Sequence, residues 1–247
     1  MPDLPLWKWI LGALCAFNMG VAKTGMPGLG ILVVPLFVLT VGDARASAGW
    51  LLPILLSSDV FAVFYYRRHA AAGRLFALAP WVAVGLAAGS FVLRYDDKVL
   101  RPLVGFIILS MLCVYLIRQR RVDPLPTDSL VASGFYGAFA GFATMVANAA
   151  GPVMNVYLLS KRLTREEFVA TGAWFFFLVN LSKIPVYLSH GMITSQSLAF
   201  DAAMIPASIG GALAGRWLLP LIPQKTFELV VVVLAFVATA LLFVPYN

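Results

Sequence analysis

GLGILVVPLFVLTVGDARASAGW (residues 28–50) and GPVMNVYLLSKRLTREEFVATGAW (residues 151–174) decide how this chain is read. Each opens on glycine, runs through a short apolar stretch, meets a charged step and ends on tryptophan. Their starts lie 123 residues apart (151 minus 28), and that offset also relates Gly49 to Gly172 and Ser57-Ser58-Asp59 to Asn180-Leu181-Ser182. Three matches at one offset argue for an internal duplication. The apolar runs 29–41 and 151–160 are too short to cross a bilayer alone, since a span needs ~20 residues. Each follows a small-residue break: Lys23-Thr24-Gly25-Met26-Pro27-Gly28 in one half, Asn148-Ala149-Ala150-Gly151-Pro152 in the other.

The composition says where such a chain folds. Of its 247 residues 61% are hydrophobic and 12% charged, about half the ~25% charge of soluble domains. So few charges cannot cover that much apolar surface in water, so a soluble globular protein and a disordered chain are both excluded. Further apolar segments fall at 9–22, 46–66, 75–93, 99–117, 130–147, 168–189, 191–215 and 226–244. The N-terminal stretch lacks a basic n-region and carries Trp7 and Trp9, so it is expected to be a first membrane segment, not a cleaved signal. The one extended polar linker, RQRRVDPLPTD (118–128), divides the chain nearly in half. The expected units are repeat 1 at 1–122, a cytoplasmic linker at 123–128 and repeat 2 at 129–247.

Charge sets the orientation. Suppose each half is a broken hairpin (roughly 9–41 and 130–160) followed by three spans. One side then holds Arg67, Arg68, Arg74, Arg118, Arg120, Arg121, Lys161, Arg162, Arg165, Arg216 and Lys225, and the other Lys8, Arg45, Arg94, Lys98 and Arg101. Eleven cations against five place the first set in the cytoplasm. The hairpins then enter from opposite sides, which makes the repeats inverted. If 9–41 and 130–160 each crossed once, the halves would run parallel, and loops 161–165 and 216–225 would violate the charge bias. The net charge of +7 thus reads as positive-inside loops, with no nucleic-acid partner. The expected fold is an all-α polytopic membrane protein with two inverted repeats, each a broken or re-entrant hairpin plus three transmembrane helices.

Polar groups at bilayer depth need a reason. Five places qualify: Lys23-Thr24-Gly25 with Gly28; Asn148 with Gly151 and Asn155; Ser57-Ser58-Asp59; Asn180-Ser182-Lys183; and Asp201, expected near an interface. A break between half-helices leaves unpaired backbone N–H groups at a positive dipole end, and glycine lets a ligand approach them. Two breaks meeting near the midplane would cradle an anion, with Lys23 and Lys183 supplying charge and Asn148 and Asn180 neutral donors. Lys23 could instead snorkel to an interface. Asp59 could pair with either lysine or relay a proton. Trp50, Trp174 and Phe175–Phe177 read as packing or lipid contacts, and the glycines of IPASIGGALAG (205–215) as helix packing. Glu166 and Glu167 after Thr164 read as a helix N-terminus.

Cys15 and Cys113 lie inside apolar segments and read as small buried hydrophobes. No CxxC, HExxH, GxSxG or P-loop pattern is present, so no metal, cofactor or enzyme activity is expected.

Lys23-Thr24-Gly25-Met26-Pro27-Gly28-Leu29-Gly30 running into Val34-Pro35-Leu36, and Leu52-Pro53 through Asp59 to Tyr66-Arg67-Arg68-His69, resemble the first repeat of the TauE/SafE sulfite exporter family. Ala140-Gly141-Phe142, Ala150-Gly151-Pro152, Tyr157-Leu158-Leu159 and Asn180-Leu181-Ser182-Lys183-Ile184-Pro185 resemble its second. The resemblance covers essentially the whole chain. It implies a bacterial inner-membrane transporter of a small sulfur-containing anion (sulfite, a sulfonate or thiosulfate), with an organic-acid permease or an anion channel as alternatives and a homodimer as a possible assembly. One departure stands out. Many relatives are expected to carry His at the Asn148 position and a second Gly at Ala150. Asn keeps a donor but does not titrate near neutral pH.

Overall fold

The computed structural model describes residues 4–24, 29–66, 70, 72–120, 130–161, 163–218, 232–233 and 235–244. The regular structure among them is helical: α1 (Leu6–Thr24), α2 (Leu29–Val41), α3 (Ala44–Tyr66), α4 (Ala72–Val92), α5 (Asp97–Arg120), α6 (Leu130–Ala147), α7 (Gly151–Ser160), α8 (Arg165–Ser189), α9 (Ser195–Leu218) and a closing 3-10 turn, Leu241–Phe243. Much of the expected segment 226–244 lies outside the described residues. Among the described residues four helices are long and apolar enough to cross a membrane, over Ala44–Tyr66, Asp97–Ile117, Glu167–Ser189 and Ser195–Gly215. Large side chains such as Phe64, Phe76, Phe106 and Phe135 stand exposed along the helices, as a hydrocarbon solvent permits. The protein is an all-α polytopic membrane protein.

Local chemistry sets the helix ends. Thr164 caps α8 with a reciprocal box: its hydroxyl accepts from Glu167 N, and the Glu167 carboxylate accepts from Thr164 N. Thr194 and Ser197 bond each other in the same way at the start of α9. That turn shortens the expected segment 191–215, because Gly191 is left-handed (φ +65°) and the helix begins only at Ser195. Gly42 ends α2 at φ +94°. At α3 the Asp43 carboxylate accepts from Ala46 N, and Asp97 reaches across to accept from Ala44 N. Among the described residues six prolines sit beyond the first turn of their helices, including Pro35, Pro53, Pro185 and Pro206. Each removes one backbone bond, which packed membrane helices tolerate.

Both short helices fold back on the helix before them. A Cβ added at Gly42, at the end of α2, would stand 3.8 Å from Lys8 Nζ near the start of α1. Tyr157 of α7 likewise meets Tyr136 of α6, with ring centroids 6.5 Å apart. Helices α1 and α9 run in the same direction. Gly12 faces Phe200 and Met204, Gly20 faces the Ser208 carbonyl and Ala212, and Thr24 faces Gly215. Helices α4 and α6 pair in the same sense, with Trp81 on Gly134, Gly85 on Ala138 and Gly89 on Met145. A Cβ at Gly20, Gly85, Gly141 or Gly211 would collide with a neighbouring backbone carbonyl, so these glycines permit the close approach that membrane packing rewards. Helices α3 and α8 run antiparallel: Asp59 meets Asn180 and Gly49 meets Met192.

Candidate anion site

Residues flanking the first break, with those of the second, line one cavity. Its wall takes Met19, Ala22 and Lys23 from α1, Gly30 and Ile31 from α2, Leu55 from α3, and Ile108 and Met111 from α5. Thr144, Asn148, Ala149, Gly151, Pro152 and Asn155 come from the α6–α7 hairpin, and Phe176 and Asn180 from α8. The first turns of α2 and α7 both reach it, and these half-helices touch each other. A Cβ at Gly151 would meet nothing within 4 Å, so the backbone there faces open space.

Lys23 is the cation at this wall. Its Nζ lies 2.6 Å from Asp59 Oδ1 and 4.0 Å from the centroid of the Phe176 ring. Asp59 is fully buried, and its other oxygen accepts from Asn180 Nδ2 at 2.6 Å. Asp59 therefore holds both a cation and an amide in place. The Asn180 side chain, so fixed, presents its remaining polar atoms near the cavity. Asn155, one turn into α7, has no hydrogen-bond partner among the described residues.

Lys183 is placed differently from Lys23. It is fully buried and does not line the cavity. Its ammonium donates to Thr144 O (3.1 Å), Thr144 Oγ1 (3.2 Å) and Asn148 Oδ1. Three donors meet three acceptors, which uses the group's whole capacity. Asn148 in turn donates from Nδ2 to Ala48 O of α3 at 2.9 Å. Its backbone is left-handed (φ +54°), a conformation that asparagine tolerates better than most residues. Asn148 on the wall and Lys183 one layer behind it thus clamp the α6–α7 break onto α3 and α8.

Thr24 turns away from the cavity: its hydroxyl donates to Ala212 O at 2.8 Å and to Gly20 O at 3.2 Å, tying α1 to α9. Gly25 and Gly28 lie outside the described residues. Asp201, expected near an interface, is buried among the helices at 1% exposure. Phe176, expected as packing or lipid contact, is part of the wall, and Cys113 is exposed where burial was expected. Thr144 and Phe176 were legible in principle. Each precedes a candidate by four residues (Asn148 and Asn180) and so shares its helix face. Ser208, 2.5 Å from Ser58 between α3 and α9, carried no such signal.

These features describe a multi-pass helical membrane protein with a cation and several neutral polar side chains around one cavity. The family model for the sulfite exporter TauE/SafE matches residues 11–242, nearly the whole chain, and the chain belongs to that family. No curated protein and no solved structure gives a significant match. The family consists of membrane transporters of sulfur compounds.

Proposed function

We propose that this chain exports a small sulfur-containing anion, such as sulfite or a sulfonate, across the bacterial inner membrane. The observation that carries this reading is the meeting of Lys23, Asn155, Asn180 and the first turn of α7 around one cavity. Lys23 supplies charge, Gly151 backbone approach and the amides donors. Gly25 and Gly28, from the first small-residue break of the sequence, are proposed as further backbone contacts of the anion. With Lys23, Asp59 and Lys183 all ionised, the cluster carries one net positive charge, which a monovalent anion neutralises. Asp59 positions Lys23 and Asn180, and Lys183 positions Asn148.

The site is read as lying at the junction of two inverted repeats, 1–122 and 129–247, joined by a cytoplasmic linker. Two observations support this. The pairing of α1 with α9 is repeated by α6 with α4, as exchange of corresponding helices requires. The corresponding helices α3 and α8 are antiparallel. Rocking of one repeat against the other would expose the site alternately. An inside-negative potential drives anion exit with ~2.3 kcal/mol per charge per 100 mV.

The test is thermal stabilisation of the purified protein by sulfite, sulfoacetate, thiosulfate, sulfate, lactate and chloride. A selective shift with a sulfur anion, lost in Lys23→Met, supports the reading. A shift with lactate alone favours an organic-acid permease. Large unitary currents in a planar bilayer favour a channel. For topology, a cysteine replacing Gly191 labels from outside; labelling only from the cytoplasm refutes the inverted arrangement.

A further inference from the structure

Helix α9 buries one stripe of side chains at three- and four-residue spacing: Ser197, Phe200, Asp201, Met204, Ser208 and Ala212. The residues between them, such as Ala202, Ala203 and Pro206, are exposed. Asp201 is the one ionisable group on that stripe. It is 1% exposed, and neither carboxyl oxygen has a hydrogen-bond partner among the described residues. Its neighbour Phe200 packs against Trp9, Phe37 and Trp50, so the surroundings are apolar and aromatic.

The helices packed most extensively on α9 are α1 and α3, and Phe37 of α2, a helix without ionisable residues, also meets Phe200. Their ionisable groups are Lys8, Cys15 and Lys23 on α1, and Arg45, Asp59, Tyr65 and Tyr66 on α3. None bonds to Asp201. Lys23 and Asp59 are committed to each other, Arg45 donates to His190 O at 2.8 Å, and Lys8 sits by Trp7 and Gly42. An ionised carboxylate with no cation and no donor is among the costliest groups to bury, whereas the neutral acid loses far less. Ionisable residues at membrane depth usually mark function.

We propose that Asp201 is a proton-binding site that couples proton movement to anion transport, separate from the anion cavity and resting on the transport reading above. In the packed conformation the carboxyl keeps its O–H bond. When α9 separates from α1 and α3, that bond breaks, the proton passes to water and the carboxylate is hydrated. Re-packing requires a proton to return. The stripe ties this event to the anion site, because Ser208, two turns beyond Asp201, bonds Ser58, and Ser58 adjoins Asp59.

The test uses the full chain in proteoliposomes loaded with pyranine, with sulfoacetate as the probe. Two fluxes are read: counterflow of labelled sulfoacetate without a pH gradient, and the lumen pH change that a sulfoacetate gradient causes. In wild type the lumen pH shifts, and a one-unit pH gradient drives up to about tenfold accumulation for one coupled proton. In Asp201→Asn counterflow stays within about twofold of wild type, while both the pH shift and the gradient-driven accumulation disappear; Asp201→Glu restores them. A wild-type protein with counterflow and no lumen pH change overturns the proposal even if Asp201→Asn fails to fold. Coupling retained in Asp201→Asn overturns it equally. Absence of counterflow in wild type would instead remove the transport reading for this probe, and the coupling proposal with it.

Discussion

Asp59→Asn is the sharpest perturbation of the site, because it removes a charge while keeping the shape. Asp59 is fully buried and Lys23 nearly so, with side-chain exposures of 0% and 11% and a contact of 2.6 Å. At an effective dielectric of 20 the gross attraction at that distance is ~6 kcal/mol. Both ions have already given up hydration to make it, so the net worth of the pair is smaller. The cost of breaking it is nevertheless large, since one ion stays buried alone: about 3–5 kcal/mol. Asn180 is a built-in control. An asparagine at 59 can still offer a carbonyl oxygen to Asn180 Nδ2, so the loss reports the ion pair and not the amide bond. Lys23→Met leaves Asp59 buried without its cation and costs a similar amount. The double variant leaves no unpaired ion, so it is more stable than the sum of the two losses predicts, by on the order of 2–3 kcal/mol. Equilibrium unfolding in detergent, followed by tryptophan fluorescence, measures all four corners of the cycle. Additive losses, or an Asp59→Asn variant as stable as wild type, would refute the buried pair.

Asn155→Ala removes a wall amide that bonds nothing else among the described residues, so it should weaken anion binding about tenfold or more at unchanged melting temperature; isothermal titration with the stabilising anion measures it. Gly211→Val drives a side chain into the Phe17 carbonyl and should destabilise the α1–α9 pair by roughly 1–3 kcal/mol or more, read as a lower melting temperature. Thr164→Ala deletes the α8 capping box and should cost about 1 kcal/mol without altering anion affinity, since the cap does not touch the cavity.

The helical, membrane-spanning class was legible because ~20-residue apolar runs have few other uses. The two breaks were legible from Gly151-Pro152 and from the short runs that follow them. The Thr164 cap could be read because its chemistry is local. What the sequence could not divide was the work of the two lysines. Lys23 and Lys183 look equivalent as cations inside apolar segments. Only packing decides that one ammonium reaches the wall while the other spends all three donors on Thr144 and Asn148. Thr24 misled for a related reason. It sits within the break, yet its direction is set by the close approach of α9, which supplies Ala212 O. Asp201 is the strongest case. Near a helix start it reads as interfacial, and only the burial of the α9 stripe puts it inside the protein.

The most direct test of the central claim is efflux of labelled sulfite from proteoliposomes containing wild type or Lys23→Met. The account predicts saturable efflux from wild type and, from a folded Lys23→Met protein, efflux no faster than from protein-free vesicles. Equal efflux from the two proteins would contradict a site built on Lys23, and wild-type efflux at the protein-free rate would contradict sulfite transport itself.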